Sequence, residues 1–211
     1  MRTVVIYLGG QGPNTAPALD GEIVATIAAD SGLHLADQHD SQVDLIVGDM
    51  DSVDSKLLSK YENNGTIVSR FSHEKNETDF ELAIMASKNY VADSLVVVGG
   101  GGDRLDHLLS NVSVMAGSQT ESLLVEAHLG ESIVRICRPI QPVVWSGNIG
   151  DEVSIIPIGS NAHGVTTKGL KWELNDSTLK VGESLGISNI QTANEIDVKC
   201  TSGSLAVLRS T

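Results

Sequence analysis

The sequence predicts two parts of different class: an N-terminal α/β domain built on a mostly parallel open sheet, then a smaller all-β domain. Three observations carry this. Short aliphatic runs that stop at Gly or Asp recur through the first two-thirds of the chain. Stretches of helical period separate them, and near Pro139 and Pro142 both patterns give way to brief β-like runs divided by Gly, Asn, Asp and Ser. Strand–helix alternation argues for an open sheet with right-handed crossovers.

In chain order, Val4–Leu8, Thr26–Ala29, Leu45–Val47, Thr66–Val68 and Leu95–Val98 are too short and too uniformly apolar for helices, and they suit buried strands. A helix is expected near Ser55–Lys60, capped by Ser52 or Asp54. Phe80, Ala83, Ile84 and Ser87 follow the i, i+3, i+4, i+7 spacing of a core-facing helix, and so do Leu105, Leu108, Leu109 and Val112. Beyond the prolines, Glu152–Ile156, Gly164–Thr167, Ile196–Cys200 and Leu205–Leu208 read as strands. The boundary is expected near residue 138, giving domains 1–138 and 139–211. The second domain is thin, so it is expected to pack on the first or on another subunit.

The 211 residues are 41% hydrophobic and 19% charged, with only 3% aromatics, so the core must be aliphatic. A net charge of -13 disfavours nucleic acid and anionic membranes as partners. Cys137 and Cys200 have neither CxxC spacing nor a His partner pattern, which argues against zinc; they read as buried thiols, with a disulfide left open. The N-terminal apolar stretch is too short for a signal peptide, and no run approaches the ~20 apolar residues of a membrane span. A cytoplasmic protein is expected.

Three acidic motifs carry the chemistry: Gly48-Asp49-Met50-Asp51-Ser52, Thr78-Asp79, and Gly102-Asp103-Arg104-Leu105-Asp106-His107. Each stands where an apolar run stops or a helix pattern starts, the edge at which α/β enzymes keep their working groups. Asp49 and Asp51, two apart in extended chain, can point to one side and grip a cation; a turn leading into a helix cap is the plainer alternative. Thr78 and Glu81 fit a capping box, so Asp79 either complements the helix dipole or faces the same ion. Gathered carboxylates cannot all stay ionised unaided. Oxygen-only ligands with an arginine nearby point to magnesium and a phosphorylated substrate.

Gly99–Gly102 run into a helix start whose free N–H groups suit an anion, and Arg104 offers a planar fork for phosphate oxygens. Asp106 and His107 fall in the first turn, with Asn111 one turn on. A glycine loop with a dipole-complementing Asp is the alternative. The segment is neither a dinucleotide fingerprint nor a P-loop: Arg104 and Leu105 stand where a third Gly is needed, and no Gly-Lys-Ser/Thr occurs. Lys75 is a phosphate contact or an ordinary surface lysine. His34, His39, His73, His128 and His163 lack ligand spacing and read mostly as surface residues.

Taken together, Ala29-Asp30-Ser31-Gly32, Asp44 through Ser52, Glu77-Thr78-Asp79, Arg104 through Asn111, Gly169-Leu170-Lys171-Trp172-Glu173-Leu174 and Ser188-Asn189 resemble the thiamine pyrophosphokinases, in order and over nearly the whole chain. The resemblance implies an α/β catalytic domain joined to a β-sandwich, a homodimer, and transfer of diphosphate from ATP to the hydroxyethyl group of thiamine with release of AMP. It implies that Asp49, Asp51 and Asp79 hold magnesium and that Arg104 steadies the ATP phosphates. Asp30, Ser52, Lys75, Thr78, Gly102, His107 and Asn111 would line the nucleotide side. Asp106 would face the reacting hydroxyl or the thiamine ring, and Trp172, Ser188 and Asn189 would form the thiamine cleft. Ser31, Asn76 and Ile190 depart from the family pattern, which has Gly at the first and often an acid at the other two. The alternatives are a diphosphokinase for another heterocyclic alcohol, pterin-like, and a non-catalytic sensor of thiamine or its diphosphate.

Overall fold

The computed structural model describes residues 1–102 and 104–210; Asp103, of the third acidic motif, lies outside the described residues. The chain forms two compact units, Met1–Val114 with Gln119–Glu131, and Met115–Ser118 with Ser132–Thr211. Apart from Met115–Ser118, the division falls between Glu131 and Ser132.

The first unit runs β1 (Arg2–Leu8), β2 (Glu22–Ala29), α1 (Gly32–Gln38), β3 (Leu45–Gly48), α2 (Ser55–Asn63), β4 (Ile67–Arg70), α3 (Asp79–Ser87), β5 (Ser94–Val98), α4 (Leu105–Met115) and β6 (Leu124–Leu129). Its strands lie in the order β4-β3-β2-β1-β5-β6, every neighbouring pair parallel. Polar–apolar alternation is absent from β5 because all five of its residues are buried, as a strand covered on both faces requires. On one face Val5, Tyr7, Ala28, Ile46, Val96 and Val98 pack with Leu33, Leu35 and Ala36 of α1 and Tyr61 of α2. Each large aliphatic side chain among them contributes about 1.5–3 kcal/mol when fully buried.

The helices begin where their caps dictate. Asp54 accepts from the amides of Lys56 and Leu57, and Thr78 and Glu81 close the expected capping box at α3. Phe80, Ala83, Ile84 and Ser87 are buried, as their spacing predicts. The equivalent expectation for α4 fails: Leu105 and Leu109 are 63% and 61% exposed, and only Met115 is buried. Apolar period marks a face that avoids water without saying what covers it.

The second unit is antiparallel throughout: β7 (Ser132–Cys137), β8 (Val143–Ser146), β9 (Glu152–Lys168), β10 (Ser177–Leu179), β11 (Asn189–Ile190), β12 (Glu195–Lys199) and β13 (Ser202–Ser210). The two runs read as separate strands at Glu152–Ile156 and Gly164–Thr167 belong to the single 17-residue β9. Its first half pairs with β13 and β11, and its second half with β12 and β10. Gly159 and Gly164, at φ of +76° and +62°, let the strand turn between the two pairings. The interior holds Trp145, Ile155, Val165, Leu179, Ile196 and Leu205, along with the free thiols Cys137 and Cys200. The hydrogen bond it shares with Cys200, and then burial, keep the Cys137 thiol protonated far above its ordinary range.

Among the described residues, no helix is long and apolar enough to cross a membrane.

Candidate active site

In the first unit, strand numbering runs outward in opposite directions from β1 and β5, and the crevice at such a reversal is where open α/β sheets bind ligands. A cleft of about 700 Å³ lies there. It is lined from the ends of β1 (Gly9, Gly10, Gln11), β2 (Asp30, Ser31) and β5 (Gly100, Gly101, Gly102), from Asp51, Ser52 and Lys75, and from Thr78, Asp79 and Phe80 at the start of α3. Arg104, His107, Ser110 and Asn111 of the α4 segment complete it.

Asp49 and Asp51 do converge, but through a turn rather than extended chain. Met50 takes the left-handed φ of +66°, and Asp49 Oδ1 accepts the Asp51 amide at 3.1 Å. Asp49 Oδ2 then meets His73 Nδ1 at 2.9 Å and Lys75 Nζ at 3.9 Å, while the Lys75 ammonium reaches Asp79 Oδ1 at 2.6 Å. The lysine therefore bridges two carboxylates, the electrostatic place of a cation. Asp51 accepts from the Ser52 hydroxyl at 2.7 Å, which does most to hold its carboxyl below the usual range.

Asp30 is the strained member. It sits at φ +44°, 8% exposed, with Oδ1 buried and unpartnered. Burial first, then the charges of Asp79, Asp49 and Asp51, raise its pKa. Gly48, at φ +142°, leaves the room: a Cβ there would stand 3.0 Å from Asp30 Cβ and 3.2 Å from Asp79 Oδ1. An orphaned buried oxygen beside three more carboxylates and one ammonium is a donor set with unspent acceptors, as a hard divalent cation requires. The residues present fit magnesium.

The glycine loop is tied to its neighbours. The amides of Gly99, Gly100 and Gly101 are not free for an anion; they donate to the carbonyls of His128, Gly9 and Gln11 at 3.0, 3.1 and 2.9 Å. The loop instead holds the cleft wall in place, and Gly100 comes so near α4 that a Cβ would lie 2.8 Å from Asn111 Nδ2. Arg104 is engaged as well, donating from Nε and Nη2 to the two oxygens of Asp106 at 3.0 and 2.8 Å. That fork holds the Asp106 carboxyl well below the usual carboxylate range.

Sequence reasoning missed Gly9, Gly10, Gln11, Ser110 and His73. The Leu8-Gly9-Gly10 break at the end of the first strand was the signal available for the first three. His73 had none, because its approach to Asp49 depends on how the loop after β4 folds.

The second unit carries its own pocket, of about 600 Å³, with Trp172, Leu174, Ser184, Leu185, Ile187 and Asn189 among its lining residues. Trp172 is 55% exposed, so it is not the core tryptophan; Trp145 is. Asn189, itself buried, fixes the Trp172 backbone by accepting its amide and donating to its carbonyl. Ser188 does not join the lining: its hydroxyl turns to Glu152.

A family model described as thiamin pyrophosphokinase, catalytic domain, matches residues 21–126, and one described as thiamin pyrophosphokinase, vitamin B1 binding domain, matches 144–205. The chain is 26% identical over 215 residues to thiamine pyrophosphokinase of Bacillus subtilis, covering all of both. It is 28% identical over 166 residues to thiamine pyrophosphokinase 1 of Arabidopsis thaliana, covering 75% of this chain and 62% of that one. The match thus spans about three-fifths of the length of that relative and of thiamine pyrophosphokinase 2 of Oryza sativa. The solved Bacillus subtilis structure superposes with a TM-score of 0.83 at 22% identity, over 99% of each chain. Thiamin pyrophosphokinase from Candida albicans gives 0.77 at 15%, covering 100% of this chain and 89% of that one. With two family models matching in order across most of its length, the chain belongs to the thiamin pyrophosphokinase family.

Proposed function

We propose that the chain transfers diphosphate from ATP to the hydroxyethyl oxygen of thiamine, forming thiamine diphosphate and AMP. The observation that carries this is the gathering of Asp30, Asp51, Asp79, Lys75 and Arg104 around one cleft at the sheet's reversal point, with Asp49 beside Lys75, in a chain of this family. Asp49, Asp51 and Asp79 hold magnesium, with Asp30 offering its orphaned oxygen. When bound there, the ion would supply positive charge to the phosphate oxygens.

The chain's own groups do the positioning. Lys75, released from Asp79, supplies a charge for the phosphates, and Thr78, Ser52, His107, Asn111 and Gly102 wall the nucleotide. Arg104 presents its remaining N–H groups to phosphate while Asp106 holds the guanidinium plane still. A carboxyl so depressed is a poor proton acceptor, so Asp106 acts through Arg104, and the hydroxyl proton leaves late to solvent or phosphate in a loose transition state. The thiamine oxygen bonds to the β-phosphorus as the α–β bridge breaks toward AMP. In the second unit, Trp172 and Asn189 receive the thiamine ring, with Ser188 bracing that loop.

The same reading makes the protein a cytoplasmic homodimer. Its support is the pair of free buried thiols and the apolar side chains left in water, Leu105 and Leu109, one turn apart on α4, among them. The test is a product assay with ATP, magnesium and thiamine. Equal, metal-dependent amounts of AMP and thiamine diphosphate are expected. ADP would mean transfer of the γ-phosphoryl group; thiamine binding without turnover would favour the sensor, and turnover of a pterin alcohol alone the other diphosphokinase.

A further inference from the structure

His73 lies on the loop between β4 and α3 with its side chain 65% exposed, yet both ring nitrogens face carboxylates of the cation site. Nδ1 is 2.9 Å from Asp49 Oδ2, and Nε2 is 3.7 Å from Asp51 Oδ2. One ligand atom from each of Asp49, Asp51 and His73 falls within 4.8 Å of the others. Two ligands at right angles around one divalent ion stand about 3 Å apart when each bond is about 2.1 Å. That is the separation between His73 and Asp49. Beside them, Asp30 carries a carboxylate oxygen that is buried and unpartnered, in the cleft that Asp51 also lines. A buried acceptor without a donor is rare in folded proteins, and this one stands close enough to Asp49 and Asp51 to feel their charges, where a cation would relieve all three.

We propose that His73 is a nitrogen ligand of the cation held by Asp49 and Asp51, and that it biases this site toward manganese- and cobalt-like divalent ions over magnesium. The inference rests on the cation-site reading given above. Carboxylate and water suit magnesium, whereas an imidazole adds affinity for first-row transition ions, so one histidine in an oxygen set changes preference rather than creating the site. The ring is largely in solvent, and its removal leaves no cavity.

The test uses the full chain with metal alone. Mn²⁺ binding is followed by the paramagnetic resonance of the free ion, Mg²⁺ by calorimetry, and Co²⁺ by its visible absorption. His73→Ala should weaken Mn²⁺ and Co²⁺ about tenfold or more and Mg²⁺ by less than about twofold, with a shifted Co²⁺ band. His73→Gln, which keeps a polar side chain of similar reach, should restore neither the Co²⁺ band nor the Mn²⁺ affinity. Unchanged Mn²⁺ affinity in His73→Ala, equal losses for Mg²⁺ and Mn²⁺, or no Mn²⁺ binding to the wild type would overturn the proposal. The product assay is separate: thiamine diphosphate formation alongside unshifted metal affinities would sink only the role of His73.

Discussion

Asp49 and Asp79 meet across one lysine, whose ammonium stands between the two carboxylates. Asp49→Asn or Asp79→Asn should therefore lower AMP formation at least about a hundredfold, the usual cost of losing one electrostatic contact at a reacting phosphate. The far-UV circular dichroism should not change, since neither side chain belongs to a hydrophobic core. Full activity in both variants would remove the metal assignment. At this scale the sequence was informative about type and poor about geometry. The aspartates announced themselves by standing at strand ends, whereas the left-handed Met50 that brings two of them together has no pattern of its own. Nor did the glycine run reveal that three of its amides are already bonded to neighbouring loops.

Helix starts divide into those that serve the cleft and those that serve only the fold. Thr78 caps α3 and lines the cleft; Asp54 caps α2 and does not. Replacing either by Ala should cost about 1 kcal/mol, or roughly 2–4 °C in melting temperature for a chain of this size. Thr78→Ala should also raise the KM for ATP, because it frees the turn that aims Asp79, while Asp54→Ala leaves that KM alone. Equal effects on KM would contradict the division. Packing of α2 against β1 gives a second test. Burial, then the Asp37 carboxylate, push the Tyr61 phenol up to about 12, and burial raises Tyr7 as well. The fold favours the protonated phenol, so this stabilisation is complete below the ordinary value near 10 and is lost as pH rises toward about 12. Ionisation of Tyr61 and Tyr7 should come together with loss of circular dichroism; their ionisation with the fold intact would contradict the packing. Helical period predicted α3 in full, yet for α4 it was right about the helix and wrong about its burial. Period reports an apolar stripe, and a stripe can be met by a partner as well as by a core.

Two units of different class were legible because parallel strands, covered on both faces, are uniformly apolar, while antiparallel ones alternate. Less legible was β9, whose halves looked like separate strands because Gly159 and Gly164 interrupt the pattern where the chain changes pairing. Exposed Leu105 and Leu109 predict that the protein sediments as a dimer, and that charged substitutions at both positions give a monomer. An active wild-type monomer would refute it. The most direct measurement of the central claim is the fate of labelled phosphorus. With ATP carrying label at the β or the γ position, both labels should appear in thiamine diphosphate in equal yield and neither in AMP. Thiamine product labelled from the γ position alone would contradict diphosphate transfer, and with it the account of the site.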